Sequence, residues 1–433
     1  MDIAIIGGGL AGSEAAHQIA RRGHRARIFE MRPHVMTPAH KTGDLAELVC
    51  SNSLKSQELT NAHGLLKAEL AALGSLIVRA AHSTAIPGGK ALVVDRTKFA
   101  EIVTSAIESD PLITVERRKV ESLPDEGIVI VATGPLTDPT FSERIREMTG
   151  EDDLHFFDAV SPIIDATTID MEEAFFGSRY DAEKDDYLNC PLTKEEYDRF
   201  YEALMAAVRV DLREFEKGTP YFEGCLPIEV MAQRGKDTLA YGPMKPVGLK
   251  DRRPGRGEAY AVIQLRREDR EGHMYNMVGF QTKLTYPEQE RVFRLVPALR
   301  QATFFRHGSV HRNTFINGPT VLEGLQMRKD KRIFFAGQIT GVEGYMESTA
   351  MGLLAGIAAL YYERGKEFKA PGPETAIGAL YRYISTVRKD YQPMNVNWGL
   401  VEGYDKRRKG AVAERAVRVI GEWGKKIERD LGE

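Results

Sequence analysis

Cysteine is scarce in this chain: 433 residues contain three, Cys50, Cys190 and Cys225. An odd, sparse set without metal-ligand spacing argues against a disulfide framework or a zinc site and points to a reducing compartment. Long apolar runs are missing too. The longest, around residues 353–360, is broken by glycine and is too short to span a bilayer. A glycine-rich turn interrupts the short apolar start, which does not fit a secretory leader. Nor does one sign of charge dominate: 59 basic residues face 62 acidic ones, a net charge of −3. Such a surface neither demands nor excludes a polyanionic partner, so nucleic acid would have to meet a local basic patch. There is no internal repeat and no low-complexity tract. These absences predict a cytoplasmic protein without membrane contact, long enough for two or three domains.

What is present is alternation. Residues 2–6 (Asp-Ile-Ala-Ile-Ile) read as a buried strand, followed by Gly7-Gly8-Gly9-Leu10-Ala11-Gly12 and an Ala-rich helix ending near Gly23. Further strands are predicted at 25–30, at 128–133 before Gly134-Pro135, and at 333–336 before Gly337. Strands alternating with helices imply a parallel α/β sheet. Between about 160 and 310 the chain becomes charged and turn-rich, and alternation at 259–265 and 274–280 suggests antiparallel strands. The predicted organisation is a discontinuous Rossmann-like nucleotide-binding domain of residues 1–160 and 310–433, with an α+β domain of residues 161–309 inserted into it. The C-terminal hundred residues return to the first domain and then run as amphipathic helices bearing Lys and Arg.

Gly7-x-Gly9-x-x-Gly12 between a strand and a helix has a mechanical reason. The first glycine makes the tight turn, the second lets the backbone approach a pyrophosphate, and the third lets helix and strand pack closely. The helix N-terminus adds donors and a favourable dipole. Glu30, 18 residues after Gly12 at the end of the next strand, is placed to accept ribose hydroxyls. A second glycine-rich element, Gly337-Gln338-Ile339-Thr340-Gly341, leads into a helix rich in small residues: Ser348, Thr349, Ala350, Gly352, Ala355 and Gly356. Small side chains would let that helix approach a flavin pyrimidine, which favours FAD over NAD. No second strand–GxGxxG–helix unit is present, so a nicotinamide donor would dock only transiently. The expected cofactor contacts are Gly7, Gly8, Gly9, Leu10, Ala11, Gly12, Glu30, Arg32, Gly134, Gly337 and Gln338.

Two thiols stand in polar, tight surroundings. Cys50 precedes Ser51-Asn52-Ser53, with Lys41 and Lys55 flanking at a distance. Cys225 follows Gly224 and precedes Leu226-Pro227, where Pro227 reads as a first helical residue; a thiol just before a helix N-terminus leans toward thiolate, the nucleophilic form. Either could equally be a small buried hydrophobe, the reading kept for Cys190. Four basic clusters, at 252–256, 266–267, 328–332 and 406–409, would suit a nucleic-acid backbone if they converged, and are otherwise solvated faces.

Taken together, several segments resemble one family. They are Ile6 to Ala15, Glu30-Met31-Arg32-Pro33, Cys50-Ser51-Asn52-Ser53, Gly224-Cys225-Leu226-Pro227-Ile228-Glu229, Tyr241 to Pro246, His311 to Asn317 and Gly337 to Tyr345. The chain is similar over nearly its whole length to the TrmFO family, the folate- and FAD-dependent tRNA (uracil-5-)-methyltransferases. The resemblance implies a glutathione-reductase-type FAD domain, tRNA as partner without an obligate protein partner, and methylation of the T-loop uridine with 5,10-methylenetetrahydrofolate as carbon donor. It assigns Cys225 as the nucleophile that adds to uracil C6 and Cys50 as the base that removes the C5 proton. Reduced FAD then gives hydride to the exocyclic methylene, and NAD(P)H restores the flavin. Folate is expected to stack on the flavin, with His63 and Tyr345 as aromatic candidates, and the uridine to be flipped out. The thiols lie 175 residues apart, so closure of the inserted domain is one expectation.

Three other readings remain open at this point. An FAD enzyme that builds carboxymethylaminomethyl groups on wobble uridines shares both glycine elements, although that family carries a long helical C-terminal extension and a partner subunit. A flavin oxidoreductase that does not act on RNA would leave the basic clusters without a role. A flavin-binding RNA chaperone would leave the thiols idle.

Overall fold

A computed structural model describes residues 2–151, 154–181, 183–210, 226–255, 257–388 and 391–432; the side chains of Leu154, Phe156 and Arg312 are not described. The predicted strand–turn–helix start is there, with slightly tighter bounds: β1 (Ile3–Ile6), α1 (Leu10–Ala20) and β2 (Ala26–Glu30). Seven strands form the main sheet, in the order Leu322–Glu323, Gln326–Met327, Ile333–Phe335, Val129–Val131, β1, β2, Ile113–Arg117. Its five central and distal members pair in parallel, Ile5 opposite both Ile28 and Ile130. The strands are apolar at successive positions because both faces are covered. Ile5, Ile28 and Ile130 join the core on one face, and Ile6, Phe29, Val129 and Val131 the core on the other.

Between Ile163 and Arg306 the chain contributes a separate six-stranded antiparallel sheet. The alternation noted at 259–265 and 274–280 corresponds to strands Ala261–Arg267 and Met274–Met277. Its own core gathers Leu188, Phe200, Ile263 and Phe293. Strands Leu154–Val160 and Ser309–Phe315, at the chain's way in and way out, pair with each other as an antiparallel ribbon that sets His311 opposite Asp158.

Helix Tyr345–Glu363 is the small-residue helix expected after Gly341. It is buried without a break from Met346 to Tyr361, as a core helix must be when it is apolar all round. An added Cβ at Gly352 would stand 2.2 Å from the Ala11 carbonyl oxygen, and one at Gly356 2.8 Å from that of Ala15. Those two glycines therefore admit the backbone of α1. The amphipathic pattern appears further on, in helix Lys409–Gly432, which buries Val412, Ala416, Ile420, Ile427 and Leu431 along one stripe. Among the described residues no helix is long and apolar enough to cross a membrane.

Candidate active site

The cofactor trough is built by local backbone demands. Gly7, at φ 105°, turns the chain out of β1 and donates its N–H to the Phe29 carbonyl at 2.8 Å. Gly12 sits against that turn, where a Cβ would stand 1.9 Å from the Gly7 oxygen. Gly9, the N-cap of α1, and Gly134, at φ 68°, are different: a Cβ on either would meet nothing within 4 Å. They border a cleft of about 1060 Å³ lined also by Leu10, Ala11, Glu30, Arg32, Gly337, Gln338 and Ser348. The unbonded N–H groups of the first helical turn face such a space by construction. A cradle empty of Cβ atoms, a helix N-terminus and an acidic strand end suit an adenine dinucleotide, so the residues present fit FAD.

Glu30 is 5% exposed and accepts from Gly8 N at 2.9 Å and from Arg32 N and Nε, both at 2.9 Å. Burial alone would push its carboxyl up, but the Arg32 guanidinium and these N–H groups outweigh it and hold the carboxyl below the usual range. Arg32, 2% exposed, bridges onward to Glu47 at 3.3 Å. Glu47 in turn accepts from Lys41 N at 2.8 Å and Thr42 N at 3.0 Å, which folds residues 41–47 beside the trough.

A second cavity of about 1190 Å³ shares Val49, Pro135, Leu136, Gln338 and Tyr345 with the trough, so the two join there. Its wall carries Cys50, Lys55, His63, Asp158, His311, Glu343 and Glu347. The Cys50 segment is clamped from all sides. The Tyr345 hydroxyl accepts from Cys50 N at 2.8 Å and Ser51 N at 3.1 Å. Arg306 donates to the carbonyls of Val49 and Cys50 at 3.0 and 3.1 Å. Arg266 holds Asn52 Oδ1 at 2.9 Å and Ser51 Oγ at 2.8 Å, and Arg96 donates to the Leu48 carbonyl at 2.5 Å. Burial and then the neighbouring Arg96 push Arg306 down to about 10. Lys55, at φ 63°, is one of three described non-glycine residues with positive φ, a conformation that costs on the order of 1–2 kcal/mol.

One carboxylate balances this clamp. Glu268, 2% exposed, meets Arg96 Nη2 at 2.8 Å and Nε at 2.9 Å. Glu268→Gln should cost about 3–5 kcal/mol, because it leaves buried guanidinium charge uncompensated. Urea unfolding of the variant against the parent checks this; a loss below about 1 kcal/mol would mean that solvent screens the guanidinium charge without Glu268.

Not every expected residue lands where the sequence put it. Cys225 lies outside the described residues, as does Arg256. Pro227 is the N-cap of the short helix Ile228–Ala232 rather than its first helical residue, because its ψ of 141° is extended. Cys190 is fully buried, and burial raises its thiol to about 12, in keeping with the bland reading. Arg266, read as part of a basic cluster, is buried in the Cys50 clamp. Arg253 pairs with Asp251 at 2.5 Å and Arg332 with Asp330 at 2.8 Å, while Lys331 pairs with Glu323. Lys406, Arg407 and Arg408 stay exposed. Of the helix's small residues Ser348 borders the trough, whereas Gly352 and Gly356 serve packing. Sequence reasoning missed Arg96, Asp158, Glu268 and Arg306, which belong to no spaced motif; Glu343 stood in the second glycine element with no role attached.

Fold and trough together define an FAD-binding α/β flavoprotein of Rossmann-like type with an antiparallel sheet inserted in its sequence. A profile of the family described as glucose inhibited division protein A matches residues 2–367. A protein of Aquifex aeolicus named methylenetetrahydrofolate–tRNA-(uracil-5-)-methyltransferase TrmFO is 54% identical over 97% of this chain and 96% of its own length. Its namesake from Geobacter sulfurreducens is 54% identical over 97% and 98%, and that from Heliobacterium modesticaldum 56% identical over 92% and 91%. Among solved structures, Aquifex aeolicus GidA in its form II crystal superposes with a TM-score of 0.70 at 18% identity, covering 98% of this chain and 73% of that one; that likeness concerns the fold. The chain belongs to the glucose inhibited division protein A family and, within it, to the TrmFO proteins.

Proposed function

We propose that this chain methylates C5 of the T-loop uridine in tRNA, with methylenetetrahydrofolate as carbon donor and reduced FAD as hydride donor. The observation that carries the reading is the union of the cofactor trough with a cavity that has Cys50 on its wall, joined at Gln338 and Tyr345. Relatives at more than 50% identity bear the name methylenetetrahydrofolate–tRNA-(uracil-5-)-methyltransferase. FAD, when bound, would supply the hydride. The first turn of α1 would hold its pyrophosphate and Glu30 its ribose, while Gln338 and Ser348 border the far end of the trough.

Uracil C5 is a poor nucleophile until a thiolate adds to C6, and this role falls to Cys225. Both flanks of residues 211–225 are tied to one segment. Val210 N donates to the Lys283 carbonyl at 2.8 Å and Ile228 N to the Gln281 carbonyl at 2.7 Å. Glu229 accepts from Thr282 Oγ1 at 2.9 Å and Lys283 N at 2.8 Å. Gln281 itself lines the thiol cavity. Two residues, Leu226 and Pro227, separate Cys225 from Ile228, three backbone steps with a reach of at most about 11 Å. This tether supports an approach of Cys225 to the cavity without a large movement of the residue 161–309 domain. Cys50, with its backbone fixed by Tyr345 and Arg306, takes the C5 proton. His63 and Tyr345 offer rings for folate, and NAD(P)H reduces the flavin after docking transiently.

The reading is tested by incubating the purified protein with NADPH, methylenetetrahydrofolate and tRNA that lacks T-loop methylation, then digesting the RNA and measuring 5-methyluridine. Formation of the product at one equivalent per tRNA is expected. A fully reduced flavin with no 5-methyluridine sinks the reading, and a carboxymethylaminomethyl product would replace it with wobble-uridine chemistry.

A further inference from the structure

The carboxyl of Glu343 has no part in the chemistry described so far, yet it stands beside Gln338, which lines the junction of the two cavities. It is 7% exposed and accepts a hydrogen bond from Gln338 Nε2. Its own backbone is fixed: Glu343 N donates to the Met394 carbonyl at 2.9 Å, and Asn395 Nδ2 donates to the Glu343 carbonyl. Gln338 lines both the trough and the thiol cavity, whereas Glu343 lines only the latter. Charged and titratable groups face Glu343 from every side of that cavity. Asp158 comes from the ribbon strand Leu154–Val160, Lys55 from strand Ser53–Ser56, Glu347 from the first turn of its own helix, and Cys50 from the clamped segment. Around these stand His63, 3.4 Å from Glu347, and His311, opposite Asp158 across the ribbon.

We propose that Glu343 is a positioning residue for the cofactor: by gaining or losing a proton beside Asp158, it decides whether Gln338 turns an N–H or a C=O toward the junction. This rests on the reading that the trough holds FAD. The chemistry follows from the inventory of the amide, which has a donor end and an acceptor end. An ionised Glu343 can only accept, so it engages Gln338 Nε2, the hydrogen bond seen here, and leaves Oε1 free to face the junction. A neutral Glu343 can donate its O–H to Gln338 Oε1 and leave the N–H groups free. An N–H there stabilises negative charge on a reduced flavin, and a C=O opposes it. Burial first, and the Asp158 carboxylate next, push the Glu343 carboxyl well above its ordinary range, with Lys55 pulling the other way. The exchange therefore falls on the alkaline side of ordinary carboxylate titration.

The test is the midpoint potential of the flavin in the holoprotein as a function of pH. The parent should show a break, with the potential falling more steeply as pH rises through the Glu343 titration. Glu343→Gln, which cannot titrate, should lose that break. Asp158→Asn, which removes the like charge, should move it toward acid pH. An unchanged break in Glu343→Gln overturns the proposal, as does a parent profile without one. If Glu343→Gln fails to retain flavin, Asp158→Asn decides: a shifted break supports the proposal and an unmoved one overturns it. A parent protein that binds no flavin at all is a different failure, because it removes the FAD reading on which the proposal stands.

Discussion

Cys225→Ala is expected to abolish both 5-methyluridine formation and the covalent protein–RNA adduct, whereas Cys50→Ala should lose turnover and still trap RNA. The asymmetry follows from the order of events. In the proposed mechanism attack at C6 precedes everything else, and that first step is lost with the Cys225 thiolate. Loss of an enzymatic nucleophile costs on the order of 10⁴-fold or more in rate. Proton removal at C5 comes after the adduct exists, and loss of a positioned base costs about 10²–10⁴-fold. Removing the Cys50 side chain leaves its clamp in place, because Tyr345 and Arg306 hold the segment by backbone N–H and C=O groups. The fold of the site should therefore survive the substitution. Denaturing gels of protein mixed with labelled tRNA, run beside the product assay, check both variants. A Cys225→Ala protein that traps RNA as the parent does would reverse the two roles.

How much of this was legible beforehand depends on how locally each feature is determined. The cofactor end is written in contiguous residues. A turn at positive φ, a Cβ-free cradle and a helix start are all set within Gly7–Gly12, and the carboxylate needs only the next strand. The thiol cavity is not local. Arg306 reaches the Val49 carbonyl across 257 positions and Arg266 reaches Asn52 across 214, and no periodicity encodes such a meeting. Charge runs misled for a related reason. Arg266 and Arg267 are neighbours in strand Ala261–Arg267, so they point to opposite faces. One is buried against Asn52, while the other lies over the Phe176 ring at 5.9 Å. The small residues after Tyr345 suggested flavin contact, but two of the glycines answer to α1. Small side chains serve any close approach, whether of cofactor or of helix, and composition does not distinguish them.

Gly9 and Gly12 should separate cofactor binding from folding. At Gly12 an added Cβ would sit 1.9 Å from the Gly7 carbonyl oxygen and 3.3 Å from Ile5 Cγ2. The first of these is backbone in a turn that is itself hydrogen-bonded to β2, so it cannot yield cheaply. Gly12→Ala is expected to destabilise the protein by about 3 kcal/mol, the upper part of the range for overpacked sites, and to lose flavin with it. Gly9→Ala is the contrasting case. Its φ of −74° and ψ of −167° suit any residue, and its Cβ would meet no atom within 4 Å. The apoprotein should therefore keep its stability within about 0.5 kcal/mol. The methyl group would nevertheless occupy the approach to the first turn of α1, where a pyrophosphate has to come close to backbone N–H groups. Gly9→Ala should consequently purify folded but poorly loaded, with flavin affinity reduced about 100-fold or more, equivalent to about 3 kcal/mol. Thermal unfolding of the two apoproteins and flavin titration by fluorescence quenching check the pair. If Gly9→Ala binds flavin as the parent does, the trough does not hold the pyrophosphate at α1. If Gly12→Ala is as stable as the parent, the contact between Gly12 and the Gly7 turn is softer than its geometry implies.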